Sequence, residues 1–116
     1  MKLKSAVLLA TLTLAATVAS AQSQGVSKNE ILIGTIQDLS GPLAGYGKQL
    51  RNGMQLRIEE LNEQGSIHGR KLRLAIEDDG YDPKKSVLAA QKLVNQDKIF
   101  IMAGHIGTAQ NMAAMP

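Results

Sequence analysis

The hydrophobic pattern begins with a near-continuous apolar run from Ile31 to Ile36 that is rich in β-branched residues. Such a run is typical of a strand buried on both faces, and it predicts a first strand over Glu30 to Gln37. From about Ala44 the pattern becomes helical, and Gly65 offers a cap at the far end. The apolar positions of this helix recur every three or four residues: Gly47, Leu50, Met54, Ile58 and Leu61.

The same alternation of strand and helix continues along the chain. Lys71 to Glu77 alternates apolar and charged residues, which predicts a strand at a sheet edge. Asp82-Pro83 opens the next helix, with Asp82 as its cap and proline in the first turn. The apolar residues of that helix are Val87, Ala90 and Val94, flanked by Leu88 and Leu93. A third, apolar strand is predicted over 98–103, and a helix begins at Ala109.

This β-α-β-α-β-α order predicts an α/β fold, with a parallel sheet and helices on both faces. If the amphipathic second strand lies at the edge, the strand order is 2-1-3. The helices then diverge between strands one and three and leave a crevice at the carboxyl ends of the strands. The loop after the first strand and the loop from Gly104 to Thr108 are therefore expected to face each other.

The first 21 residues have the layout of a secretory signal peptide: Lys2 and Lys4, an apolar run, and small residues before a cleavage site after Ala21. The run is too short to span a bilayer. A lipid anchor would need a cysteine, and the chain has none, so the prediction is a periplasmic protein that is not a lipoprotein. Removing the leader lowers the formal charge from +3 to +1, so the basic balance does not predict nucleic-acid binding.

The glycine-rich loop after the first strand invites a phosphate-binding interpretation because it contains Gly47-Lys48. The Walker pattern fails, since Pro42 stands where its first glycine belongs and Gln49 follows the lysine. The dinucleotide pattern fails as well, since Leu50 occupies the place of its third glycine. The spacing therefore argues against a nucleotide cofactor, and no cofactor is predicted.

Other chemistry has little support in the sequence. Asp78, Asp79 and Asp82 are interpreted as one helix cap and two solvated loop carboxylates. Two histidines, His68 and His105, are too few for a histidine-based metal set, and no metal is predicted. No nucleophilic triad is recognisable, so the chain is predicted not to be an enzyme.

Capture of a small anion-bearing ligand fits the residues better. Gly107-Thr108-Ala109 leads into a helix whose first N–H groups lack partners and suit a carboxylate. Across the crevice, Tyr46 is either a ring packed on its helix or an apolar wall for the ligand. His105 either lines the crevice or orients the loop.

As a whole, the chain resembles the leucine/isoleucine/valine-binding proteins of ABC transporters, which are type I periplasmic binding proteins. The resemblance covers essentially residues 27–116. It is carried by "LSGPLAGYGKQLRNGMQLRIEELNEQGSIHGRKLRLAIEDDGYDP" and by "IFIMAGHIGTAQ". It implies a ligand held between two α/β lobes, a partner permease in the inner membrane, and a monomer. It also implies that Gly107, Thr108 and Ala109 hold the ligand carboxylate while Tyr46 lines the side-chain pocket.

Three departures from that family matter. The turn at Gly107 lacks the usual serines, which leaves amides, urea or aromatic acids as alternative ligands, and a ligand-sensing regulatory domain as an alternative role. Ser66, before Ile67, stands where a second glycine is usual, and Tyr81 stands where some members place a disulfide cysteine. Because members carry a second lobe, residues 22–116 are expected to form an incomplete first lobe, and the chain an N-terminal fragment.

Overall fold

The first strand, β1, spans Glu30–Gln37 in the computed structural model, which describes residues 23–115 of the chain. These are the predicted bounds. β1 pairs in parallel with β2 (Lys71–Asp78) on one side and with β3 (Ile101–Met102) on the other. The order β2-β1-β3 confirms the predicted topology and the α/β class. The apolar run of β1 is buried because both of its edges are paired.

The third strand is shorter than predicted. The apolar pattern predicts a strand over 98–103, but only Ile101–Met102 pair with β1. Lys98 turns the chain with a φ of 57°, Ile99 is buried in the core, and Met102 packs against that core partly buried. Phe100 is 51% exposed. A run of apolar letters cannot show where a turn interrupts it, and the prediction of a six-residue strand is wrong.

The helix α1 spans Ala44–Glu63 and begins where the change of period predicts. Its predicted apolar face lies over the sheet, but Gly47 is its one buried residue. The rest of that face lines an open apolar groove of about 510 Å³ together with Ile33 and Leu72. Gly65 follows the helix with a φ of 107°, which confirms the predicted C-cap.

The hydrophobic core lies on the other face of the sheet, beneath α2 (Pro83–Gln91), one π-helical turn (Lys92–Gln96) and α3 (Thr108–Ala114). The predicted core side of α2 is partly wrong, since Leu88 is 65% exposed and Val94 is 42% exposed. Ser86 faces the core instead, together with Ala89 and Ala90, which lie one helical turn further along α2. The buried apolar residues of this core are Leu32, Ile36, Ala89, Ala90, Leu93 and Ile99.

None of the helices within residues 23–115 combines the length and the apolar character that crossing a membrane requires. The predicted signal peptide, residues 1–21, lies outside the described residues.

Candidate ligand-binding cleft

The carboxyl ends of β1 and β3 meet at one edge of the sheet, and the loops that follow them start side by side there. Gln37, the last residue of β1, is fully buried. Its Nε2 donates to Thr35 Oγ1 at 2.6 Å and to the carbonyl oxygen of Gly104. This contact brings the first loop and the loop after β3 together at the reversal of strand order, where α/β sheets bind ligands.

The first loop is organised around the carboxylate of Asp38, which is 1% exposed. Its Oδ1 accepts from the N–H groups of Ser40 and Gly41, and its Oδ2 accepts from Leu43 N at 2.6 Å. The loop's N–H groups are therefore already paired with an internal anion, which supports the sequence-based argument against phosphate binding. Asp38 was not among the site residues predicted from the sequence. An aspartate two residues before a serine-glycine-proline turn is the available signal, because such carboxylates commonly bond to the backbone that follows.

Tyr46 lies in the first turn of α1 and is 71% exposed. A ring that packed against its own helix or the sheet would be covered, so this exposure disfavours the packing role. Tyr46 follows the first loop, at the point where that loop becomes α1. Lys48, two residues later, is exposed as well.

Gly107, Thr108 and Ala109, which we call the carboxylate turn, form the start of α3. Gly107 has a φ of 98°, and within the described part of the chain no side chain caps the helix that follows it. Thr108 and Ala109 are exposed. The first N–H to bond back is that of Asn111, which donates to the carbonyl oxygen of Gly107 at 2.9 Å. The helix begins at Thr108, one residue earlier than predicted, so Thr108 and Ala109 lie in its first turn, where N–H groups have no partner within the helix.

His105 is placed beneath the loop rather than on its exposed side. Its side chain is 7% exposed, and its Nε2 lies 3.8 Å from Asp79 Oδ2 without a hydrogen-bond partner among residues 23–115. Burial lowers the pKa of His105, and this effect outweighs the nearby Asp79 carboxylate, which acts to raise it. The position favours the loop-orienting role over direct contact with a ligand.

Asp79 corrects one interpretation of the acidic cluster. It was expected to be a solvated loop carboxylate, but it is 1% exposed. Its Oδ2 accepts from Ser86 Oγ at 2.6 Å and its Oδ1 from Tyr81 N at 2.9 Å. A buried carboxylate needs such partners, and the sequence signal for them was a serine at the inward position of α2.

The other two carboxylates of the cluster lie closer to solvent. Asp82 caps α2 as predicted, since its Oδ1 accepts from Lys84 N at 2.8 Å. Asp78 is exposed and accepts from Leu39 N at 2.8 Å. Partial burial acts to raise the pKa of Asp78, but hydrogen bonds to Ser40 and to backbone N–H groups lower it overall. Within residues 23–115 no group of histidine and acidic side chains is arranged to hold a metal ion.

The chain is similar in sequence to known proteins over most of its length. A family model described as "Periplasmic binding protein" matches residues 30–116. A Leu/Ile/Val-binding protein from Rhizobium johnstonii is 39% identical over 90% of this chain and 28% of its own length. The chain therefore spans little more than a quarter of the length of the curated relatives it matches first.

Two solved structures have the same fold over most of the chain. One is a fatty acid ABC transporter substrate-binding protein from Thermomonospora curvata, with a TM-score of 0.77 and 32% identity over 81% of this chain and 24% of that protein. The other is a branched-chain amino acid transporter substrate-binding protein from Streptococcus pneumoniae in complex with isoleucine. It has a TM-score of 0.71 and 29% identity over 74% of this chain and 25% of that protein.

Proposed function

The chain belongs to the periplasmic binding protein family, and from this premise we propose that residues 23–115 form one wall of a cleft for a small carboxylate, first of all a branched-chain amino acid. One observation carries the proposal: the exposed carboxylate turn lies at the same sheet edge as the loop that presents Tyr46. Thr108 supplies a hydroxyl, the start of α3 supplies N–H groups, and Tyr46 supplies an apolar surface.

The relatives support a carboxylate over an uncharged amide or urea. The Rhizobium johnstonii relative is named for leucine, isoleucine and valine, and the Streptococcus pneumoniae neighbour holds isoleucine. The Thermomonospora curvata neighbour is named for fatty acids, which share a carboxylate and an aliphatic chain with those amino acids but lack their ammonium group. An aromatic acid also carries that group, but the names of the curated relatives favour an aliphatic amino acid.

The proposed mechanism is reversible capture without bond making or breaking. A second wall closes over the ligand, and the loaded protein, a monomer, delivers it to an ABC permease in the inner membrane. Deletion of the gene separates this role from that of a ligand-sensing regulatory domain. A transport receptor predicts lost leucine uptake, whereas a sensor predicts unchanged uptake with altered gene expression. If the protein is a monomer, sedimentation should give a single species with the mass of one chain.

We further propose that residues 1–21 direct export to the periplasm and are removed after Ala21, without lipid attachment. The basic start, the apolar run and the small residues at 19–21 support this assignment. The mass of the exported protein tests it. A product that begins at Gln22 is expected, and a product that retains Met1 would contradict the cleavage.

Nuclear magnetic resonance of the 116-residue chain, labelled with ¹⁵N and titrated with leucine, tests the site directly. We expect the backbone signals of Thr108 and Ala109 to shift, and acetamide at the same concentration to leave them in place. Because the described residues supply one wall only, we expect weak binding; micromolar affinity by calorimetry would contradict the one-walled cleft.

Thr108→Val keeps the shape of the side chain and removes its hydroxyl. A hydrogen bond to a charged group contributes about 1.5 kcal/mol, so leucine affinity should fall about tenfold. Lys48→Gln is the matched control, because it removes the lysine of the Gly47-Lys48 pair near the start of α1 without changing the carboxylate turn. If Lys48→Gln weakens binding and Thr108→Val does not, the anion is held at the start of α1 and the proposal is wrong.

A further inference from the structure

Gln110 lies directly after the carboxylate turn and is buried, although an amide side chain at the start of a helix would ordinarily reach solvent. It is 3% exposed. Its Nε2 donates to the carbonyl oxygen of Tyr81 at 2.8 Å. Tyr81 belongs to the loop between β2 and α2, so this single bond ties the start of α3 to a different loop at the same sheet edge.

The Tyr81 carbonyl is itself held in place by a buried network. Tyr81 has a φ of 63°, a left-handed conformation that is costly for an aromatic residue and persists only where its surroundings enforce it. Its N–H donates to Asp79 Oδ1 at 2.9 Å, while Asp79 Oδ2 accepts from Ser86 Oγ at 2.6 Å. Asp79 and Ser86 are both buried. The acceptor that receives the Gln110 amide is therefore fixed to the core through α2.

The side chains of Gln110 and Tyr81 also pack against the inner side of the carboxylate turn. A Cβ atom placed on Gly107 would lie 2.7 Å from Gln110 Cδ and 3.0 Å from Tyr81 Cε2. Both distances are shorter than ordinary van der Waals contact. The backbone of the turn thus rests against the amide of Gln110 and the ring of Tyr81, and only a residue without a side chain fits between them.

We propose that Gln110 and Tyr81 are positioning residues for the carboxylate turn. They touch no ligand; they hold Gly107 so that the N–H groups of Thr108 and Ala109 point in fixed directions before a ligand arrives. The consequence for ligand binding rests on the proposed function: N–H donors that are ordered in advance bind an anion without a further loss of conformational entropy. Because no side chain of residues 23–115 caps α3, we expect the hydrogen bond from Gln110 to Tyr81, which we call the clasp, to fix the first turn of this helix.

Two variants of the full chain test the clasp, with backbone order measured by ¹⁵N relaxation in the absence of ligand. Gln110→Glu keeps the shape and removes the donor to Tyr81. Tyr81→Asn keeps the carbonyl and tolerates the positive φ, but it removes the ring that packs on Gly107. Gln91→Glu, on the exposed side of α2, is the matched control. We expect order parameters at 107–109 to fall from about 0.85 toward 0.6 in both variants and to stay unchanged in the control.

The outcomes separate this inference from the proposed function. If Gln110→Glu fails to fold, Tyr81→Asn alone decides the question. Unchanged order at 107–109 in the folded variants would overturn the clasp, even if leucine still shifts Thr108 in all of them. Loosened turns together with a leucine affinity about tenfold weaker than in the control would support both ideas. If the order parameters at 107–109 fall but the Thr108 signal does not shift with leucine, the clasp is supported and the amino-acid site is contradicted.

Discussion

Two glycines of the same helix, Gly47 and Gly53, are expected to respond in opposite ways when each is replaced by alanine. A Cβ on Gly47 would lie 2.8 Å from the carbonyl carbon of Asp38 and closer still to its oxygen. Apart from its chain neighbours and its own helix, no atom of residues 23–115 lies within 4 Å of that position on Gly53. Both residues lie within α1, where alanine is favoured over glycine by about 1 kcal/mol. The pair therefore isolates the contact with Asp38.

Neither side of that contact can yield easily. The Asp38 carboxylate accepts three backbone N–H groups of the first loop, so its main chain is fixed. The first turn of α1 would have to move outward by more than about 1 Å, and overpacking of that kind costs typically 1–3 kcal/mol. At the upper end of that range, and offset by the helix preference of alanine, Gly47→Ala should lower the free energy of unfolding by about 2 kcal/mol.

Thermal unfolding followed by far-ultraviolet circular dichroism measures both effects. For a domain of this size 1 kcal/mol corresponds to roughly 4–8 °C, so Gly47→Ala should lower Tm by at least about 8 °C. Gly53→Ala should raise Tm by a few degrees, roughly 4 °C. The reasoning would be refuted if Gly47→Ala had the same Tm as the parent chain, or if the two variants lowered Tm equally.

Two further predictions concern the β2–α2 loop and the histidine beneath the carboxylate turn. Asp82→Ala removes the cap of α2 and should cost about 1 kcal/mol in urea unfolding, whereas Asp82→Asn should retain most of that stability; equal losses would show that the cap does not matter. Because burial lowers the folded-state pKa of His105 below 6.5, the unfolded chain binds the proton more readily. The stability that neutral His105 contributes should be full above pH 6.5 and should fall as the pH drops toward the folded-state pKa. His105→Gln should flatten that slope below pH 6.5, and identical slopes for the two chains in that range would contradict it.

Local signals were sufficient for most of the framework. The β-branched run predicted β1 with its observed bounds, the change of period predicted the start of α1, and Asp82-Pro83 predicted the start of α2. Each of these depends on residues within a few positions of one another, which is the range over which strand patterning and capping act. The strand order followed from the contrast between an apolar strand and an amphipathic one.

The part of the cleft that depends on distant neighbours was not predictable in the same way. Asp79 looks like a solvated loop residue until Ser86 and the loop with His105 fold over it. Gln110 looks like a polar helix residue until its amide meets a carbonyl 29 positions earlier. Burial of a polar side chain is favourable only where a partner arrives from elsewhere in the chain, and that arrival is a property of the packed fold. The sequence by itself thus determined the first strand, the strand order and the starts of α1 and α2. Only the tertiary structure decided where β3 is interrupted and which polar residues are buried, because both depend on contacts between distant parts of the chain.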